Sequence, residues 1–122
     1  MPNTFRLHPD LKLLEHRFWC RITLDEVYTA AEQIWSDPAY DPSYRGLFDI
    51  RNISVGFHIR DIRILRRFLA SSGRQIRGDL AIVTERSIPT AFAMLYATRT
   101  KRQRIRVFSS PDVARQWLFR DL

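Results

Sequence analysis

Hydrophobic and polar positions along this chain alternate with two rhythms, one of two residues and one near 3.6, and the switches between them mark out the elements. Thr4–Leu7, the turn-like His8-Pro9-Asp10 and Leu11–Arg21 read as an antiparallel hairpin. In its second strand Leu14, His16, Phe18 and Cys20 share one face, predicted to be core. Leu13, Glu15, Arg17, Trp19 and Arg21 share the other, a mixed face that suits a strand only partly covered. Leu47–Ile50 is apolar on both faces apart from Asp49, and Leu80–Val83 is apolar throughout. Continuous runs of this kind suit central strands of a parallel sheet, sheathed above and below. Arg104-Ile105-Arg106-Val107-Phe108 alternates charged with apolar, as a half-covered edge strand does.

The 3.6 rhythm predicts four helices. Thr23-Leu24-Asp25-Glu26 is a capping-box pattern, with Leu24, Val27, Tyr28, Ala31, Ile34 and Trp35 following at helical spacing. Two prolines in SDPAYDPSYRG, 36–46, stop that helix and supply a loop. A second helix is predicted from about Ile59 to Ala70, with Ile59, Ile62, Leu65, Phe68 and Leu69 inward and Ser71-Ser72-Gly73 ending it. Ser87-Ile88-Pro89 has the cap-then-proline signature of a third, running to about Thr98 with Phe92, Leu95 and Tyr96 inward. Ser110-Pro111-Asp112 caps a fourth, with Val113, Trp117 and Leu118 inside. The order β-β-α-β-α-β-α-β-α predicts one α/β domain over 1–122, its parallel strands joined by right-handed crossovers. The four glycines, Gly46, Gly56, Gly73 and Gly78, read as turn or cap residues.

Composition narrows the class. With 45% hydrophobic and 27% charged residues, the 122-residue chain matches an ordinary globular protein. No apolar run reaches the roughly 20 residues of a membrane span, and the N-terminus lacks a secretion signal's apolar core. The single cysteine forms no internal disulfide, so a reducing cytoplasm is the expected compartment. Charge is uneven. Residues 1–59 carry a net −2, residues 60–106 a net +9, and the last sixteen sum to zero. That asymmetry points to an anionic partner.

With the element order in place, the chain resembles the STAS domains, shared by sulfate transporters and bacterial anti-sigma-factor antagonists. It looks most like their small stand-alone bacterial relatives. The likeness rests on the opening hairpin, TLDEV at the first helix, the strand LFDIRNI with Asp49, and the closing RVFSSPDVARQWL. It implies a mixed sheet of about five strands in sequential order, the first antiparallel and the rest parallel, with about four helices. In the antagonist branch a Ser or Thr at the start of the helix after the Asp-bearing strand accepts a phosphate that controls partner binding. Laid onto this chain, that position falls near His58, and none of Phe57, His58 and Ile59 carries a hydroxyl. Ser54 is the nearest, well before the helix, where a phosphate lacks the free N–H groups of a helix start. The resemblance therefore implies a relative without the serine switch.

Candidate chemistry is sparse. His58 is a candidate base or phospho-acceptor with Asp61 as the only acid nearby, and its plainer reading is a first-turn side chain facing solvent. His8, His16 and His58 show no ligand spacing, and Cys20, on a core-leaning face, has no second thiol, so no metal site is expected. There is no glycine-rich phosphate loop and no cofactor motif. Asp49 and Asp79 flank central strands and read as strand-end groups bonding local N–H donors. No nucleophile or acid–base pair assembles from the spacing, so a non-enzymatic module is expected.

The basic residues form the larger signal. Arg60, Arg63 and Arg67 line one outer stripe of the second helix with Arg66 beside it, and TRTKRQRIR adds Arg99, Lys101, Arg102, Arg104 and Arg106. The bland reading is a solvated face and a protected edge. The functional reading is a docking surface for an acidic protein, formed by 55–67 with the loop 99–102: Phe57 and His58 for shape, Arg60, Arg63, Arg67, Lys101 and Arg102 for attraction. Two other classes stand beside it. Phe57 and Phe92 frame an apolar cleft beside the strand ends, suited to a small apolar or lipid-like ligand. Nucleic acid is disfavoured because no aromatics interleave with these arginines. A homodimer stays open.

Overall fold

The computed structural model describes residues 2–122. Strands β1 (Asn3–His8), β2 (Leu13–Ile22), β3 (Arg45–Val55), β4 (Leu80–Val83) and β5 (Ile105–Phe108) form one sheet in sequential order. β1 pairs antiparallel to β2, and every later pair is parallel. Helices α1 (Leu24–Trp35), α2 (Ile62–Ser71), α3 (Ser87–Arg99) and α4 (Pro111–Leu118) connect and close it, and a 3-10 turn, Ile59–Asp61, leads into α2. The expected α/β order and strand directions hold throughout. No helix among the described residues is long and apolar enough to cross a membrane.

The two-residue period divides the sheet into two cores. On one side Leu13, Leu47, Ala81 and Val83 meet Ala114 and Leu118 of α4. On the other, Leu14, Phe18, Ile22, Ile53, Leu80 and Ile82 face Ala30 and Ile34 of α1 and Ala93 of α3. β4 is buried at all four positions, as its unbroken apolar run predicts. A bulge between β2 and β3 sets Arg17 opposite Asp49 but Trp19 opposite Asn52, which gives β3 an extra residue. The inward set on β3 accordingly changes from Phe48 and Ile50 to Ile53 and Val55.

Several local expectations are corrected. β3 runs eleven residues, well past the apolar core of Leu47–Ile50, because bonding to β2 continues through Val55. Cys20 is exposed, not core: its left-handed backbone (φ 64°) breaks the side-chain alternation of β2. Ile59 is 40% exposed because the 3-10 turn takes it off the α2 stripe, while Ile62 and Leu65 are buried. The α3 cap is Arg86 with no side-chain bond, and Ser87 is already helical. Val113 is 50% exposed, and Ala114 takes the inner position beside Leu118. Gly46 lies inside β3, where a Cβ would stand 2.8 Å from Leu80 Cδ1, so close packing explains it rather than a turn. Thr23 and Glu26 do form the expected capping box, and Ser110 caps α4 with Pro111 at its first position.

The loop between α1 and β3 is built rather than slack. Asp37 and Asp41 accept from the Ala39 and Ser43 amides at 2.9 and 2.8 Å. Tyr40 and Tyr44, both buried, donate their hydroxyls to the carbonyls of Arg74 and Ala39. The first of these ties the loop to the segment after α2.

Candidate functional site

Between the sheet and the helices α1, α2 and α3 lies a cavity of 190 Å³. Its floor is the inward set of the central strands, Phe48, Ile50 and Ile82 among them. Val27, Ala31 and Ile34 of α1, Ile62, Leu65 and Leu69 of α2, and Phe92, Ala93 and Tyr96 of α3 wall it. Apart from Ala93, these are residues whose helical spacing predicts inward faces, and Leu95, also predicted inward, is not among those that line the cavity. A protein interior rarely holds a void much larger than a water molecule.

Phe57 and Phe92, expected to frame an apolar cleft, meet edge to face with ring centroids 5.4 Å apart and both line the cavity. Phe57 follows Gly56, whose amide bonds the Ile22 carbonyl at 2.7 Å and whose missing Cβ would fall 2.8 Å from the same oxygen. The wall is propped elsewhere by a second aromatic group. Phe68 of α2 stacks on Tyr28 and Trp35 of α1 at 4.1 and 5.7 Å. The lining is mostly apolar, with Tyr40, Gln75, Tyr96 and Gln103 among its polar members, and His16 is its one imidazole: it is 3% exposed, and burial lowers its pKa to about 3, so the ring is neutral at pH 7.

His58 is exposed and serves as a cap. Its Nδ1 accepts from the Arg60 amide at 3.2 Å, while its own amide donates to Asp61 Oδ2 at 3.1 Å. The imidazole's recorded partner, the Arg60 amide, is thus structural, and Asp61 bonds the His58 backbone rather than its ring. Ser54 lies in β3, opposite Arg21 and exposed, apart from the helix start.

Arg60, Arg63 and Arg67 are exposed, as are Lys101 and Arg102, and among the described residues none of the five is ion-paired. Arg66 joins the two groups. Its guanidinium donates to Thr100 Oγ1 at 3.2 Å and to the Arg99 carbonyl, which ties α2 to the loop carrying Lys101 and Arg102. Next to that loop a shallow groove gathers Lys101, Arg104, Arg106 and Arg120 around Trp117. Arg120 stacks over the indole at 4.7 Å.

The carboxylates are occupied. Asp49 accepts from the Arg51 amide and pairs with its guanidinium at 2.8 Å, and Asp79 is held between Arg104 and Arg120, both at 2.9 Å. Neither faces the other as an acid–base pair. Among the described residues no group of three metal-ligating side chains converges.

Two functional features escape sequence reasoning. His16 reads as an ordinary core position of an alternating strand, and the cavity has no sequence signature beyond a surplus of inward aromatics.

No known family profile matches the chain, and no curated protein matches its sequence. Among solved structures it is similar to an uncharacterised protein of the DUF3478 family from Shewanella loihica PV-4, which has a SpoIIAA-like fold. The two align with a TM-score of 0.64 over 95% of this chain and 93% of that one, at 12% identity. A likeness at that identity speaks for architecture alone, and the architecture is SpoIIAA-like, the STAS-like fold that the order of elements suggests.

Proposed function

We propose that this domain is a non-enzymatic binding module that encloses a small apolar ligand between its sheet and helices α1–α3. The supporting observation is the cavity. A void of 190 Å³ exceeds the roughly 150 Å³ engineered cavity that stays dry and takes up benzene. An empty apolar space forgoes contacts on every side, and a ligand restores them. The test is a thermal-unfolding series with ethylbenzene up to its solubility limit. A ligand that binds only the folded state raises the midpoint in proportion to its concentration over Kd. An unmoved midpoint at saturation, together with no small molecule retained in native mass spectra of freshly purified protein, refutes the reading.

A second reading is favoured by the exposed cations. Among the described residues Arg60, Arg63, Arg67, Lys101 and Arg102 have no ion-pair partner, and Arg66 holds their two segments together. Such a patch suits an acidic protein, attracted over about a Debye length. Its test is capture from native lysate by the wild type and by a variant with Arg60, Arg63 and Arg67 changed to Glu. Equal recovery of every bound species by both forms assigns these arginines to solubility alone.

A further inference from the structure

One imidazole stands in the lining of the cavity, and the atom of Asn3 that faces it assigns its tautomer. His16 Nε2 lies 3.1 Å from Asn3 Oδ1. A carbonyl oxygen only accepts, so the ring proton sits on Nε2 and Nδ1 keeps its lone pair. No hydrogen bond among the described residues reaches Nδ1, and that atom is not among the sealed, partnerless polar atoms of the core. The ring is otherwise clamped by aromatics, with Phe18 at 4.0 Å and the edge of Phe48 at 5.4 Å. His16 is itself one of the residues that line the cavity.

Two of the other polar groups around the cavity are engaged, and Gln75 lines it as well. Tyr40 donates to the Arg74 carbonyl, and Gln103 Nε2 donates to the carbonyls of Ile76 and Gly78.

We infer that His16 Nδ1 is the anchoring acceptor of this cavity, and that the ligand is an uncharged apolar molecule bearing a single hydroxyl, an alcohol or a phenol. The inference rests on the cavity-ligand reading above and supplies its chemistry. A plain hydrocarbon leaves a buried acceptor unpaired, which is costly in a low-dielectric interior. A carboxylate sets its own lone pairs against that of Nδ1, and the lone amide of Gln75 does not offset the desolvation of a full charge. Burial keeps the imidazole neutral across the physiological range, so it offers no cation to an acid.

Isothermal titration of 4-ethylphenol, ethylbenzene and 4-ethylbenzoate into wild type and His16→Phe tests it. The wild type binds 4-ethylphenol best of the three. The affinity ratio of 4-ethylphenol to ethylbenzene falls about three- to tenfold in His16→Phe, the size of one hydrogen bond. An unchanged ratio, or tighter binding of 4-ethylbenzoate than of the phenol by wild type, overturns the inference while the cavity reading stands. Failure of both neutral probes to bind wild type removes both. Should His16→Phe fail to fold, long-range ¹⁵N spectra of the wild type decide. The Nδ1 resonance shifts with 4-ethylphenol and not with ethylbenzene, and a resonance that ignores the phenol overturns the assignment.

Discussion

Filling the cavity from α1 should stabilise the protein. Ala31 lines the cavity without being part of the tightly packed clusters, so Ala31→Leu projects three extra carbons into open space. At about 24 cal/mol per Å³, a void of 190 Å³ forgoes at most about 4–5 kcal/mol relative to a filled core, and less where it opens to solvent. That is large beside a typical net stability of about 5–15 kcal/mol. Three buried carbons return about 2 kcal/mol, and fixing the new side chain takes back part of it. A net gain of about 1–2 kcal/mol remains, which raises the midpoint of a domain this size by about 4–8 °C. Urea and thermal unfolding of both forms measure it, with ethylbenzene titrated into each. The variant unfolds later and responds less to ethylbenzene. If the cavity were already collapsed in solution, the same change would overpack the core and cost about 1–3 kcal/mol. A lowered midpoint would falsify the argument.

Three further outcomes follow from particular contacts. Gly78→Ala places its Cβ 2.3 Å from the Tyr44 carbonyl oxygen, a backbone atom, whereas Gly46→Ala meets the movable ends of Leu80 and Ile76 at 2.8 and 3.1 Å. Urea midpoints should place Gly78→Ala near the top of the roughly 1–3 kcal/mol overpacking range and Gly46→Ala near its foot, and the reverse order would contradict the geometry. For Asp49, burial pushes its carboxyl up, but the side-chain and backbone bonds from Arg51 outweigh it and hold the group below its ordinary 3.8. A depressed folded pKa stabilises above the unfolded value and is lost as pH falls through the folded one. The stability gap between wild type and Asp49→Asn should therefore be full above about pH 4 and close at lower pH; a gap independent of pH down to acid unfolding rules this out. Cys20, turned outward, should react with a thiol reagent at one equivalent per chain in native buffer, and reaction only after denaturant would return it to the core.

The sequence made the sheet legible because its signals were local and redundant. Leu80–Val83 has no polar residue to expose, so only a doubly covered strand fits it, and Thr23 with Glu26 marks a helix start whatever surrounds it. The misses share one cause, tertiary geometry overriding local period. Cys20 fits the alternation perfectly until a positive φ removes it, and Tyr40 looks like a loop residue until its bond to the distant Arg74 carbonyl ties it down. The arginine stripe was legible because spacing alone places Arg60, Arg63 and Arg67 together; its junction with Lys101 and Arg102 depends on Arg66 reaching across thirty-four positions to Thr100. His16 was legible as a core residue but not as a site. What distinguishes it is the vacancy beside it, and a vacancy is a property of several elements at once.

That vacancy has a physical origin in how the two faces of the sheet are furnished. Towards α4 the sheet presents Ala81 and Val83, met by Ala114, all fully buried, and small side chains let a helix settle directly onto the strands. Towards α1–α3 it presents Phe48, Ile50 and Ile82, and the helices answer with branched and aromatic residues. Helices α1 and α2 find part of their packing in each other, through the stack of Phe68 on Tyr28 and Trp35, rather than in the sheet beneath. A stacked aromatic pair is worth about 0.5–1.5 kcal/mol beyond its burial, and it keeps the two helices apart at their outer rim. Lowering either helix onto the strands would break that stack, the Phe57–Phe92 contact and the Arg66 bridge together. Contacts at the rim thus oppose closing of the walls, and the ligand proposed above would restore the contacts that the empty space forgoes.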